Sequence, residues 1–291
     1  MFSQSRVESR ESRADVEPAL AGHGGLKPAP QGVAWWRVIA VGLALSGSAQ
    51  ATPDVQALLK KADAWRLSGE SVRVETQARM YRDGKLDKER DYVVYTRSGR
   101  RSLVLMKSPV EQGQKVLMLA DQFWLLMPDT QRPLRITASQ KLLGEASTGD
   151  IATMTWCEDY DGKVAGEGDC PAAPAGPGKE PPARADGRCL HLDLAATRPG
   201  VTYTRIELDL DKASQRPVKA DLYVTSGKRA KVAWYHAGTL DGQPRITAMS
   251  LLDDIQVTRR TEIRYLSMKP REAPDEFFNP AALVRNSLAG W

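Results

Sequence analysis

The chain has little of what most enzyme chemistry requires. Only three histidines occur among its 291 residues, and only His191 and His236 lie beyond the first 51 positions. Neither falls in a Gly-x-Ser-x-Gly or His-Glu-x-x-His context, and no glycine-rich phosphate loop of the known kinds is present. The acidic pairs Glu158-Asp159 and Asp253-Asp254 offer carboxylates, but neighbouring residues of a strand point to opposite faces and turns commonly carry such pairs. His191 alternates with Leu190 and Leu192 and is expected on a solvated face. The expectation is a protein that is not an enzyme, with no catalytic residue and no cofactor. Cysteine is equally scarce: Cys157, Cys170 and Cys189 are too far apart, even with His191, to form a compact zinc motif. No metal is expected. Three thiols in one irregular region suit an oxidising compartment, where Cys170 with Cys189 would close a loop of about 20 residues and leave Cys157 over.

Two further absences narrow the class. Despite a net charge of +5, the basic residues alternate with acids along the chain. The run Arg97, Arg100 and Arg101 reads as a solvated hairpin tip, so no nucleic-acid partner is expected. No apolar run approaches the roughly 20 residues that a membrane-spanning helix needs. The short stretch Val38 to Leu45, preceded by Arg37 and followed by Ala49-Gln50-Ala51, reads instead as an export signal. Cleavage after Ala51 would leave Thr52 first, and no cysteine follows to carry a lipid anchor. Residues 1–51 are therefore read as an extension plus signal peptide, and 52–291 as a single exported, periplasmic domain.

Within that domain, Val55, Leu58, Leu59, Ala62 and Trp65 recur at helical spacing behind Pro53 and Asp54. From Ser71 the period drops to two, with Val72, Val74, Thr76, Ala78 and Met80 on one side. Asp83-Gly84 and Ser98-Gly99 then turn the chain through Glu89–Thr96 and Arg101–Lys107. The stretches 114–120 and 123–127, separated by Asp121-Gln122, are apolar on both faces. A sheet wet on one side does not need that, so the second face must find a helix, another sheet or a ligand. Leu142 to Asp150 reads as a mobile loop or short helix, and Asp161 to Gly187 as a flexible Pro/Gly-rich insertion within about 157–189. Strands resume at 190–194 and 206–210, then at 218–225, 229–236, 245–253 and 256–267, for ten or more antiparallel strands in all.

Taken in order, several short stretches carry a resemblance. They are Glu111-Gln112-Gly113-Gln114-Lys115-Val116-Leu117, Phe123-Trp124-Leu125-Leu126-Met127-Pro128 with Arg132 and Arg135-Ile136, and Leu143 to Ile151. Further along come Tyr203-Thr204-Arg205-Ile206-Glu207-Leu208, Pro217, Ser226-Gly227-Lys228, Asp241-Gly242-Gln243-Pro244 and Asp275-Glu276-Phe277-Phe278. Together, over about residues 54–285, the chain resembles the outer-membrane lipoprotein-sorting (LolA-like) family. That resemblance implies a mainly β fold: an incomplete, strongly curved antiparallel β-barrel with helices over an apolar cavity. It implies a periplasmic carrier of lipoprotein acyl chains, lipid or another hydrophobic ligand. The carrier would deliver to the outer membrane or work with an envelope exporter, with an inner-membrane transporter and an outer-membrane acceptor as partners. The chain departs from the sorting chaperones in its cysteine-bearing insertion and in lacking a recognisable counterpart of their single lid-latching arginine.

The residues expected to face the ligand are Val72, Val74, Met80, Leu103, Leu105, Leu117, Leu119, Trp124 and Leu126. A one-residue change of register would exchange Trp124 and Leu126 for Phe123, Leu125 and Met127. The alternative function is an envelope sensor or accessory protein that uses the same sheet to bind a protein. A carrier predicts an aliphatic cavity, and a sensor a filled core.

Overall fold

The computed structural model describes residues 54–285, except 68, 131, 153–154 and 174–186. The expected signal peptide lies outside the described residues. The first element is α1 (Val55–Arg66), whose N-cap Asp54 accepts a hydrogen bond from the Gln56 amide at 3.0 Å. Its inner face holds Val55, Leu58, Leu59 and Ala62 as the spacing predicts, but continues through Asp63 and Arg66. Trp65 lies at the edge of this face, where its indole N–H donates to the Ser214 carbonyl at 3.1 Å.

A meander follows: β1 (Ser71–Arg82), β2 (Lys85–Arg97), β3 (Arg101–Met106), β4 (Lys115–Leu119), β5 (Gln122–Leu126) and β6 (Leu134–Ile136). The stretch read as a mobile loop or short helix at 142–150 is a small hairpin, β7 (Lys141–Leu143) with β8 (Ala146–Ser147), running into the short helix α2 (Thr148–Ala152). The second half of the chain supplies β9 (Tyr160–Asp169), β10 (Arg188–Ala196), β11 (Arg205–Asp211), β12 (Pro217–Tyr223), β13 (Arg229–Leu240), β14 (Gln243–Asp253) and β15 (Arg259–Pro270). A 3-10 turn at Asp275–Phe278 and α3 (Pro280–Arg285) close the described chain.

Thirteen of these strands form one antiparallel sheet in the order β6-β5-β4-β3-β2-β1-β15-β14-β13-β12-β11-β10-β9. Its end strands β6 and β9 do not pair, so the barrel is incomplete. Pairing of β1 with β15 places the two halves of the sequence side by side. Register shifts at Glu75/Thr76, Met80/Tyr81, His191/Leu192, Asp209/Leu210 and His236/Ala237 insert bulges that bend the long strands and curve the sheet. Asp83-Gly84 and Asp241-Gly242 make the tight hairpins with both residues at positive φ, which explains the Asp-Gly pairs in the sequence.

One segment departs from the expected loop. Tyr160–Asp169 is the edge strand β9, largely exposed, and its lysine, glutamate, aspartates and glycines hide it from a hydrophobicity pattern. Cys170 and Cys189 are disulfide-bonded at the end of the β9–β10 hairpin, and Cys157 is free.

The sheet carries two cores. The concave face gathers α1 and α2 with inward residues from β1 to β5 and β10 to β15, among them Val74, Val104, Leu192, Leu208, Ile246 and Leu251. The opposite face of β2–β5 buries Val93, Tyr95, Leu103, Leu105, Leu117 and Leu126 beneath Ala273, Phe277, Phe278 and Leu283. The two-sided apolar strands thus find their second cover in the chain's own C-terminal segment, with Tyr95 edge-to-face on Phe277 at 5.2 Å.

Candidate ligand-binding site

On the concave side, α1, α2 and the irregular stretches around them lie over the curved sheet and enclose a cavity of about 50 Å³. Its sheet side is apolar, with Phe123, Ile206, Leu222, Tyr235, Met249 and Leu251, while Arg66, Arg100 and Asp159 add charge to the lining. Its cover comes from Ala138, Gly149, Asp150, residues 155–156, Tyr160 and residues 200–203. Gly149 is required by proximity: a Cβ there would fall 1.9 Å from Thr202 Oγ1, and Thr202 donates to the Ala138 carbonyl at 3.2 Å.

The cover is fastened by polar contacts in a dry setting. Asp63 on α1 accepts from the backbone amides of Trp156 at 2.7 Å and Cys157 at 2.9 Å. Burial pushes its pKa up from the usual carboxylate value, against the opposing effect of Arg66 and these amides. Arg66 stacks on the Trp156 ring at 4.0 Å and lies 3.7 Å from Asp63 Oδ1. Its Nε and Nη1 are buried with no hydrogen-bond acceptor among the described residues. Across the cavity, Asp150 of α2 forms a buried ion pair with Lys231 of β13 at 2.7 Å and accepts from Tyr203 Oη at 2.8 Å. The Tyr203 hydroxyl is pushed well above its ordinary pKa by burial and then by Asp150, so it stays protonated and donating.

Arg100 departs from the expected solvated tip. At φ +57° it turns inward, is buried, and pairs with Asp121 at 3.1 Å and with Asp159. Arg97 pairs with Asp275 and, with Arg101, lies against the Phe278 ring. His191 lies on the face opposite the buried Leu190 and Leu192, partly exposed, and pairs with Asp209 at 2.5 Å. His236 Nε2 meets Ser250 Oγ at 3.0 Å. Asp253 caps the amides of Ile255 and Gln256, whereas Asp254 pairs with Arg229. Among the described residues no three His, Cys, Asp or Glu side chains converge as a metal site, and no helix is long and apolar enough to cross a membrane.

The nine residues expected to face a ligand do not share a face. Val72 and Val74 belong to the concave core, and Met80 continues their side of β1. Leu103, Leu105, Leu117 and Leu126 lie on the opposite face beneath the C-terminal segment, with Leu119 and Trp124 packed against that core. Phe123 is buried on the concave side and Leu125 packs against it. What sequence reasoning missed is the polar part: Asp63, Arg66, Arg100, Asp150, Asp159, Tyr203 and Lys231. Periodicity held a signal for three of them. Asp63 and Arg66 continue the stripe of Leu59 and Ala62, and Lys231 precedes Ala233 and Tyr235 at period two.

The half-barrel with an apolar interior covered by short helices is a fold shared with known proteins. A LolA superfamily protein from Nitrosomonas europaea is 26% identical, with a TM-score of 0.68 over 78% of this chain and 98% of that one. The same fold recurs in a DUF1329 family protein from Desulfovibrio piger, with 18% identity and a TM-score of 0.61 over 80% of this chain and 100% of that one. A domain described as outer-membrane lipoprotein-sorting, from Vibrio parahaemolyticus, shares it at 17% identity and a TM-score of 0.59, over 79% of this chain and 98% of that one. No curated protein matches the sequence. A family model described as "Uncharacterized protein" matches residues 98–285. The chain belongs to that family, and its fold is that of the LolA superfamily.

Proposed function

We propose that this chain is a periplasmic carrier that takes an acyl chain, as part of a lipoprotein or a lipid, between its curved sheet and its cover. The observation that carries the reading is the form of closure. The segments that cover the sheet share its core through Leu58, Leu59, Ile151 and Ala152, and are tied down by a few buried polar contacts, Asp63 to residues 156–157 and Asp150 to Lys231. The cavity of about 50 Å³ holds only a few waters. This is the expected unloaded state: a standing void of about 300 Å³, the lower end for ligand pockets, would cost ~7 kcal/mol. Loading lifts the cover, and each buried CH₂ of the ligand contributes about 0.8 kcal/mol towards that opening.

Of the nine predicted ligand residues, Val72, Val74 and Met80 are proposed to meet the chain, together with Ile206, Leu222, Met249 and Leu251. The other six are proposed to stiffen the wall from behind. Arg66, with two unsatisfied N–H groups, is proposed to hold the oxygens at the polar end of the ligand. Domain limits at 52–291, export through residues 1–51, and delivery between an inner-membrane transporter and an outer-membrane acceptor belong to the same reading.

The test is displacement of a fluorescent fatty acid from the purified protein. Binding that falls at least about tenfold when Met249→Trp fills the cavity supports the carrier; binding unaffected by that change contradicts it. A second reading, a sensor or accessory protein that binds another protein on the same sheet, is favoured by the small interior volume and predicts no fatty-acid binding at all.

A further inference from the structure

A second cavity, of about 200 Å³, opens where the β1–β2 hairpin, the start of β15 and the β7–β8 turn meet. Met80 and Leu142 connect its lining to the concave face, and Gly144 sits so close over Met80 that a Cβ would fall 2.4 Å from its Cγ. The cavity differs from the first in charge. Arg90 pairs with Glu111 at 3.2 Å, but Arg259 reaches the buried Glu145 only at 3.7 Å, and Arg82 reaches Asp87 only at 4.0 Å. Lys88 and Arg260 add two more cations; Arg260 lies 3.6 Å from Glu262 and over the Tyr81 ring at 5.1 Å, and its Nε is buried with no hydrogen-bond acceptor among the described residues.

Immediately outside this basic cavity the two hairpin tips adjoin, joined by the Asp83 amide donating to the Thr258 carbonyl at 3.0 Å. They display three of the large apolar side chains that stand most open to solvent: Leu86 at 54%, Ile255 at 80% and Val257 at 81% exposed. A hairpin tip has no folding reason to hold Ile and Val in water beside arginines. Aliphatic side chains that enter the acyl boundary, flanked by cations that meet phosphates, are what an anionic bilayer surface selects.

We infer that this rim is a membrane-docking surface: Leu86, Ile255 and Val257 enter the outer part of an anionic phospholipid bilayer, and the basic cavity behind them receives a lipid phosphate. The inference rests on the carrier reading, because the rim would set the end of the concave face against the membrane from which a ligand is taken or to which it is given. The full chain is sedimented with vesicles of equal parts phosphatidylglycerol and phosphatidylcholine, and with vesicles of phosphatidylcholine alone. Binding about tenfold or more tighter to the anionic vesicles is expected, with a similar loss in the Ile255→Asp/Val257→Asp double variant and in Arg259→Glu/Arg260→Glu. Because both aliphatic positions are largely exposed, the double variant is expected to keep its thermal midpoint and its fatty-acid binding. Equal binding to the two vesicle types, or anionic binding unchanged in both variants, overturns the inference. Anionic docking by a protein that binds no fatty acid supports the rim while removing the carrier reading.

Discussion

Asp63 ties two separate stretches of chain with one carboxylate. It takes the amides of Trp156 and Cys157 and faces Arg66, itself stacked on Trp156, so one carboxylate ties helix to cover, beside the Gln56 side chain donating to the Tyr160 carbonyl at 2.8 Å. Replacing it with Ala leaves a buried guanidinium and two amides without acceptors, and a loss of about 3–5 kcal/mol in denaturant unfolding is expected. Asp63→Asn keeps one acceptor oxygen and is expected to lose less. Cys157 sits beside it, and burial first and the Asp63 charge second push its thiol from an ordinary 9.0 up to about 12. The unfolded thiol ionises near 9 while the folded one keeps its proton to about 12. Its stabilising contribution is therefore intact below pH 9 and is lost as pH rises from 9 to 12. Buried Tyr160, Tyr203 and Tyr235 are shifted upward too and act in the same direction. A thermal midpoint that falls above pH 9, with a shallower fall in Cys157→Ala, is the expected result of melts across a pH series. At this scale the sequence was least legible. Charged residues read as solvated by default, and only the tertiary closure of the cover brings Asp63 to the amides of residues 156–157, Arg100 to Asp159, and Asp150 to Lys231.

Among the elements, the C-terminal segment contributes more than its length implies. Phe277, Phe278 and Leu283 cover the outer face of β2–β5, so Phe277→Ala is expected to cost about 3–5 kcal/mol, read from the denaturant midpoint. The disulfide acts locally. Cys170→Ser with Cys189→Ser reopens a loop of about 20 residues and is expected to lose roughly 3 kcal/mol at most, seen first as faster amide exchange in β9. In the cover, Gly149→Ala drives a methyl into Thr202 and is expected to loosen residues 138–152 and raise cavity access to a fluorescent fatty acid, while the sheet stays folded. The strands were largely readable, because period-two runs and Asp-Gly turns are local. β9 was not: an edge strand with both faces wet carries no alternation. The face of Leu117 and Trp124 was also beyond the sequence, since strands apolar on both sides give no sign of which side meets the helices and which the C-terminal segment.

At the largest scale, the described residues form an open barrel whose apolar interior is covered from one side by latched segments, and the second, basic cavity lies at the rim of the same face. Fold and family followed from the order of short motifs more than from any one of them, since each is a turn or strand fragment that many sheets share. The central claim is that this interior carries an acylated ligand. Native mass spectrometry of the protein released gently from a bacterial periplasm tests it most directly. The account predicts a population heavier by the mass of a lipid or acylated peptide, identified on extraction and depleted in Met249→Trp. A single ligand-free species that stays unloaded when lipids are added would contradict it.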